Sequence, residues 1–247
     1  MLGVIPAAGA ARRLQPLPFS KELLPVGSQL KDGSERPRAV SEFIVERLIL
    51  GGATRLCFVV APRKLDIITY YGASIDGIPV CYAIQPEPAG LCDAVFRALP
   101  FAAPQESMAV GLPDTVWFPA DALRTLPPDA LSFLLFPVEQ PELFDAVVTD
   151  DAGRVQQIQV KCPSASSSWI WGAFQAPCPV FRELYALWLE RGKQDEYVGS
   201  LVNEYLARGG HASAVRAGTS YVDVGTVTGY RRAFASLQEP SPAATTP

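Results

Sequence analysis

Strand-type and helix-type segments take turns through the first 111 residues, and this alternation constrains the fold more than any other feature. Leu2-Gly3-Val4-Ile5 is a short apolar strand. Residues 38–50 carry Val40, Ile44 and Leu48 at helical spacing and stop at Gly51-Gly52, after which residues 55–61 form a continuous apolar run of the buried-strand type. Residues 65–71 read as helix ending at Gly72, 78–84 as strand, 91–99 as helix and 107–111 as strand. Such alternation predicts an α/β fold, a Rossmann-like, doubly wound and mostly parallel sheet wrapped by helices. After Pro128 the pattern changes. Segments 130–138, 144–149, 154–160 and 169–174 are strand-like, with Asp151-Ala152-Gly153 a turn between two of them, so this half adds an antiparallel portion. Helices return at 178–191 and 197–208, followed by a strand at 212–216 and a last helix at 227–237. The expectation is one domain over 1–237, with a first half to about 127, a second from about 128, and a disordered tail rich in Pro, Ala and Thr.

With 247 residues, 49% of them hydrophobic, the chain can bury one large core. A net charge of −4 supplies no broad footprint for a nucleic-acid backbone or an anionic membrane, so local cations serve local anions. No basic segment followed by a cleavable apolar stretch opens the chain, and no apolar run approaches the roughly 18 residues that span a bilayer; a cytoplasmic location is expected. Five cysteines, at 57, 81, 92, 162 and 178, are odd in number and spread through mostly apolar segments, which fits reduced thiols better than disulfides or a zinc site.

The first strand runs into Pro6-Ala7-Ala8-Gly9-Ala10-Ala11-Arg12-Arg13-Leu14 and then Ser20-Lys21-Glu22-Leu23-Leu24-Pro25-Val26. A loop of small residues such as Ala7, Ala8, Gly9 and Ala10 lets backbone N–H groups approach an anion, and Arg13 and Lys21 add full positive charge. This reads as a triphosphate cradle. Asp114 sits just past the carboxyl end of a predicted central strand, where ligands bind in open α/β sheets. Asp223 lies between an apolar strand and a helix start. Together they could hold one Mg²⁺ that also takes triphosphate oxygens, although either acid alone is better read as a turn residue or a helix-cap neighbour. Gln85 follows another strand, and its amide can donate and accept at once toward the Watson–Crick edge of a thymine or uracil. Lys161 ends a strand and could neutralise a phosphate, while Trp169, Trp171 and Phe174 suit either a sugar wall or a core. His211, the only histidine, reads as a cap or surface residue.

These motifs, in this order, resemble the sugar-1-phosphate nucleotidylyltransferases, especially the glucose-1-phosphate thymidylyltransferases, over about 237 residues. Gln85-Pro86-Glu87-Pro88-Ala89-Gly90 is similar to the segment that reads the pyrimidine and packs the nucleoside on a glycine. Leu112-Pro113-Asp114 and Asp223-Val224-Gly225-Thr226 stand at the two metal acids, and Val160-Lys161 near the family's Glu-Lys-Pro element. The resemblance implies in-line attack by a sugar 1-phosphate, with glucose 1-phosphate foremost, on the α-phosphorus of dTTP or UTP, giving an NDP-sugar and pyrophosphate. In that reading Arg13, Lys21 and Lys161 are catalytic; Ala7, Ala8, Gly9, Ala10, Gln85, Gly90 and Asp114 bind the nucleotide; Val160, Lys161, Trp171 and Gly172 line the sugar; and Asp114 and Asp223 hold Mg²⁺.

The chain departs from the family at several points. Ala8 and Ala11 stand for glycines, Val160 for a glutamate that binds sugar hydroxyls, and Asp145 for a glycine. A longer segment between Gly27 and Pro37, with Asp32-Gly33, predicts a small hairpin or lid. The implied partners are a nucleoside triphosphate and a sugar 1-phosphate, without nucleic acid or membrane, and self-association stays open. A non-catalytic nucleotide or nucleotide-sugar sensor is the alternative that the loss at Val160 suggests. A dinucleotide-dependent oxidoreductase is disfavoured, since the opening loop lacks G-x-G-x-x-G.

Overall fold

The computed structural model describes residues 1–10, 13–31 and 33–238. Ala11, Arg12 and Asp32, named in the motifs above, and the tail from Glu239 lie outside the described residues. In chain order the elements are β1 (Leu2–Pro6), β2 (Pro25–Lys31), β3 (Ser34–Ala39), α1 (Val40–Leu50), β4 (Arg55–Val60), α2 (Leu65–Tyr71), β5 (Ser74–Ile75), β6 (Ile78–Ile84), α3 (Gly90–Arg97) and β7 (Ser107–Gly111). There follow β8 (Thr115–Phe118), β9 (Leu131–Pro137), β10 (Asp145–Thr149), β11 (Val155–Val160), β12 (Trp169–Pro177), α4 (Cys178–Glu190), α5 (Val198–Ala207), β13 (Ala212–Val215), β14 (Ser220–Asp223) and α6 (Val227–Gln238).

The expected sheet is present. β1 pairs in parallel with β4 and β7, and β4 with β6, because each crossover passes through a helix or a comparable length of chain. Period-two alternation along these strands sends Leu2, Val4, Cys57, Val59, Met108 and Val110 into one apolar layer and Ile5, Leu56, Phe58, Val60 and Ala109 into the other, which is why β4 is apolar from Leu56 onward. All five cysteines are free thiols.

β12 joins the halves. Its C-terminal part runs antiparallel to β7, its other edge takes β9, and its N-terminal part takes β10 on the β7 side, so the β10–β11 hairpin begins where β7 ends. That geometry sets the second half against the carboxyl edge of the parallel sheet, where the loops after β1, β6 and β7 open.

Three features differ from the expectations. The second half is not purely antiparallel, since β13 pairs in parallel with β9. The insertion forms a hairpin spanning β2 and β3, and its ladder takes Ala39, so α1 begins at Val40 rather than at residue 38. Residues 115–118, unassigned by periodicity, form β8 and pair with β14.

Candidate active site

The cradle is pinned from behind. β1 hands over to Ala7, whose N–H donates to the Val59 carbonyl at 2.7 Å, and whose own carbonyl accepts from Lys64 Nζ at 2.7 Å. Lys64 also donates to both oxygens of Glu22, at 2.7 and 2.8 Å, in a pair that is nearly inaccessible to solvent. Burial outweighs the pairing for both partners, pushing Glu22 up and Lys64 down from their ordinary values. On the other side of Lys21, the Asp66 carboxylate accepts from Ser20 N–H at 2.6 Å and from Ser20 Oγ at 2.7 Å. Lys21 is thus bracketed by two anchored neighbours. Glu22, Lys64 and Asp66 escaped the sequence reading; the available signal was a carboxylate set against the apolar run Leu23-Leu24.

The β8–β14 pair brings the two acids together. Thr115 lies opposite Asp223, and Val224 N–H donates to the Asp114 carbonyl at 2.8 Å, so positions more than 100 residues apart share one end of a two-stranded ladder. Lys21 Nζ donates to Asp114 Oδ2, and Arg13 Nη2 lies 3.7 Å from Asp223 Oδ2. Burial opposes the charge on Asp114, but Lys21, with Arg13 adding, holds it below its ordinary value; burial and then the Asp114 charge push Asp223 up. Gly225 N–H donates to Asp223 Oδ1 at 2.7 Å. A Cβ on Gly225 would sit 2.7 Å from that oxygen, 3.2 Å from Arg13 Nη2 and 3.3 Å from Asp114 Oδ2. The glycine therefore keeps open the space on which both carboxylates and the arginine converge.

That space fits a magnesium ion chemically. Among the described residues no three His, Cys, Asp or Glu side chains converge, so the ion would take two carboxylates and complete its shell with phosphate oxygens and water, as Mg²⁺ favours. Gly225→Ala is expected to lower turnover by about 10–100-fold by displacing the carboxylates from one another, with little change in thermal stability. Initial rates of pyrophosphate release beside a melting curve would check both halves of that statement.

Gln85 is buried, only 4% exposed, and its amide is more committed than the sequence suggested. Nε2 donates to the Gly90 carbonyl at 3.0 Å and to Asp93 Oδ2 at 2.9 Å, and Arg97 holds Asp93 through Nε at 3.3 Å and Nη2 at 3.2 Å. Both partners are acceptors, so the nitrogen must face them. Only Oε1 is left, and it accepts from no donor among the described residues; the side chain can accept from a base but not also donate to it. Gly90 has φ of 86°, and a Cβ there would lie 2.7 Å from Glu196 Cα, so this position requires glycine on two counts.

The remaining predicted residues gather at the β10–β11–β12 end. Lys161 Nζ donates to the Tyr197 hydroxyl at 3.1 Å and lies 4.4 Å from that ring's centroid, apart from the Lys21–Asp114 and Arg13–Asp223 pairs. Val160 packs on the core beside α5, where a Cβ on Gly199 would come within 2.7 Å of its Cγ2. Trp171 is buried in the same layer, with Nε1 donating to Asp145 Oδ2 at 3.4 Å. Gly172 faces the opposite layer, where a Cβ would meet Phe136 at 2.6 Å and Tyr221 at 2.8 Å. Tyr221, two residues before Asp223, packs its ring edge-on against Phe144, which precedes Asp145. Burial, then the charges of Asp223 and Asp114, with Asp145 also contributing, push its phenol well above its ordinary value.

A doubly wound sheet that gathers a small-residue loop, two cations and two facing carboxylates at its carboxyl edge defines a nucleotide-handling α/β protein equipped for transfer at phosphorus. The chain belongs to the nucleotidyl transferase family, whose sequence model matches residues 2–240. It is 27% identical to the UTP–glucose-1-phosphate uridylyltransferase AglF of Haloferax volcanii, over 99% of this chain and 100% of that protein. It is 28% identical to a glucose-1-phosphate thymidylyltransferase of Neisseria meningitidis, over 68% of this chain and 58% of that protein. Among solved structures, a Bacillus anthracis protein assigned as a glucose-1-phosphate thymidylyltransferase superposes with a TM-score of 0.81 at 23% identity, over 98% of this chain and 97% of the other. An Acinetobacter UDP-glucose pyrophosphorylase superposes with a TM-score of 0.77 at 19% identity, over 97% and 94%.

Proposed function

We propose that the chain joins UTP or dTTP to a sugar 1-phosphate, glucose 1-phosphate foremost, releasing pyrophosphate and an NDP-sugar. The convergence of Arg13, Asp114 and Asp223 on one open point, with Lys21 held on Asp114, carries this reading. A sugar-phosphate oxygen attacks the α-phosphorus in line, a new P–O bond forms, and the bond to the bridging oxygen of the departing pyrophosphate breaks. Asp114 and Asp223 would hold a magnesium ion, which would withdraw charge from the triphosphate. Arg13 and Lys21 hold the β- and γ-phosphates and the charge that grows on the leaving group, while the backbone of Ala8, Gly9 and Ala10 borders the phosphates. Ala7, expected among them, is buried with its N–H on the Val59 carbonyl and only anchors the loop. Lys161 meets the incoming sugar phosphate. No side chain needs to form a covalent intermediate. A sensor would need only to bind, and two cations paired with two acids exceed that need.

Uracil and thymine have one donor on their Watson–Crick edge, the ring N3–H, and Gln85 Oε1 suits it. Cytosine presents an acceptor at that position. Asp93 and the Gly90 carbonyl fix the amide in this orientation, so Asp93→Asn, which removes one of the two acceptors and can itself donate, is expected to raise use of CTP relative to UTP by a few-fold. Competing the two triphosphates in one reaction reads that ratio directly, and an unchanged ratio would remove Asp93 from base selection.

We place the reaction in the cytoplasm, with its small phosphorylated substrates; no described helix is long and apolar enough to cross a membrane. A panel of nucleoside triphosphates against several sugar 1-phosphates, with Mg²⁺ and pyrophosphate detection, tests the proposal. Release confined to UTP or dTTP with a hexose 1-phosphate supports it, and binding without release across the panel would favour a sensor.

A further inference from the structure

Asp145 is a carboxylate that the reaction as described does not use, in a place where a charge is hard to keep. It opens β10 directly opposite Val160 of β11, and the pairing of Ala146 with Ile170 sets it opposite Trp171 of β12. Directly opposed residues present their side chains on one face, so Val160, Asp145 and Trp171 form a row across three strands. Two members of that row are apolar and packed on the core; the carboxylate is the only polar member. Burial pushes it up from its ordinary value, with the Trp171 N–H and the Lys161 charge pulling the other way. One oxygen accepts the 3.4 Å bond from Trp171, and Oδ1 accepts from no donor among the described residues. That oxygen is not sealed from solvent, so its donors come from water or from a ligand that replaces it.

Its position says what that ligand is. β10 starts where β7 ends, three residues before Asp114, and Tyr221, paired through β14 with the β8 strand that follows Asp114, packs its ring edge-on against Phe144, the residue before Asp145. Lys161, the cation on this side, follows the row on the adjacent strand. A ligand reaching from the Asp114 end toward Asp145 therefore meets a phosphate-binding cation and then a hydroxyl acceptor. We propose that Asp145 reads the sugar, its carboxylate accepting hydrogen bonds from ring hydroxyls of a hexose 1-phosphate. This assignment rests on the transfer reading above and deepens it. It also relates two departures noted in the sequence: an acid absent at position 160 and an acid present at position 145 lie opposite each other on one ladder, so a carboxylate still faces the same side of the sheet.

The test pairs the unaltered chain and Asp145→Ala with glucose 1-phosphate and its monodeoxy analogues. In the unaltered chain, removing one particular hydroxyl is expected to raise KM for the sugar about 10–100-fold, the loss of a hydrogen bond to a charged group. In Asp145→Ala the KM for glucose 1-phosphate rises by the same factor, that analogue is no longer discriminated, and the KM for the triphosphate stays within twofold. Adding Val160→Glu, which returns a carboxylate to the same face from the opposite strand, is expected to restore part of the discrimination. If Asp145 only anchors Trp171, the variant loses thermal stability but keeps the full deoxy-sugar pattern, and the assignment fails. Absence of turnover in the unaltered chain would strike the transfer reading instead; calorimetric binding of the same sugars to the same two proteins then decides the role of Asp145.

Discussion

Asp114→Ala is expected to lower turnover by about 10²–10³, the usual cost of removing one group that stabilises charge in the transition state. Asp114 performs two tasks at once: it receives the Lys21 ammonium and contributes one of two carboxylates to the space kept open by Gly225. Removing it leaves Lys21, largely buried, with no carboxylate on its ammonium. That cation then pairs more readily with the triphosphate itself. The loss should accordingly fall on kcat, with the KM for the triphosphate unchanged or lower, because ground-state binding of an anion gains while the reacting geometry is lost. Steady-state kinetics on a variant with parental circular dichroism separates these effects. Near-normal kcat would take Asp114 out of the mechanism.

Lys64→Met is expected to cost about 3–5 kcal/mol of stability, the penalty for leaving one member of a buried ion pair alone. Glu22 would be stranded with Lys21 as its next cation, and the Ala7 carbonyl would lose the donor that fixes the cradle. Burial already dominates the ionisation of both partners, so the pair is costly to keep. Replacing both, as Glu22→Leu with Lys64→Met, is therefore expected to recover most of the lost stability. Activity should not recover with it, since neither Ala7 nor Lys21 regains its anchor. Urea unfolding of the two variants, read beside their turnover, gives the comparison. A single variant as stable as the parent would show that the pair contributes little to the fold, and a fully active double variant would deny it any part in shaping the cradle.

The parts of this molecule legible in its sequence are those set by local periodicity. β1, β4, α2, β6 and β7 appear where apolar spacing and glycine stops put them, because each buries a face that its own residues define. Arg13 and Lys21 could be named as candidates because they are the cations of a small-residue loop after β1, and Asp114 and Asp223 because each stands just past an apolar strand. Their mutual arrangement could not, since it depends on β8 pairing with β14 across more than 100 residues, and four residues of strand carry too little pattern to announce such a partner. The same limit hid Lys64 behind Glu22 and Asp66 behind Ser20. Gln85 is the instructive intermediate case. Its acceptor was visible, but its donors are consumed by Gly90 and Asp93, five and eight residues away, and only the turn into α3 reveals it. Val160 and Asp145 read separately as departures; register alone shows them to be opposite one another.

The central claim is that the four groups gathered at the carboxyl edge of the sheet transfer a nucleotide rather than hold one. It is tested most directly by following both products at once, with the unaltered chain, Mg²⁺, glucose 1-phosphate and UTP or dTTP. Pyrophosphate and NDP-glucose are expected to appear together in equal amounts, each dependent on the sugar phosphate. A triphosphate that binds but is not consumed, or pyrophosphate released with no sugar nucleotide formed, would contradict it.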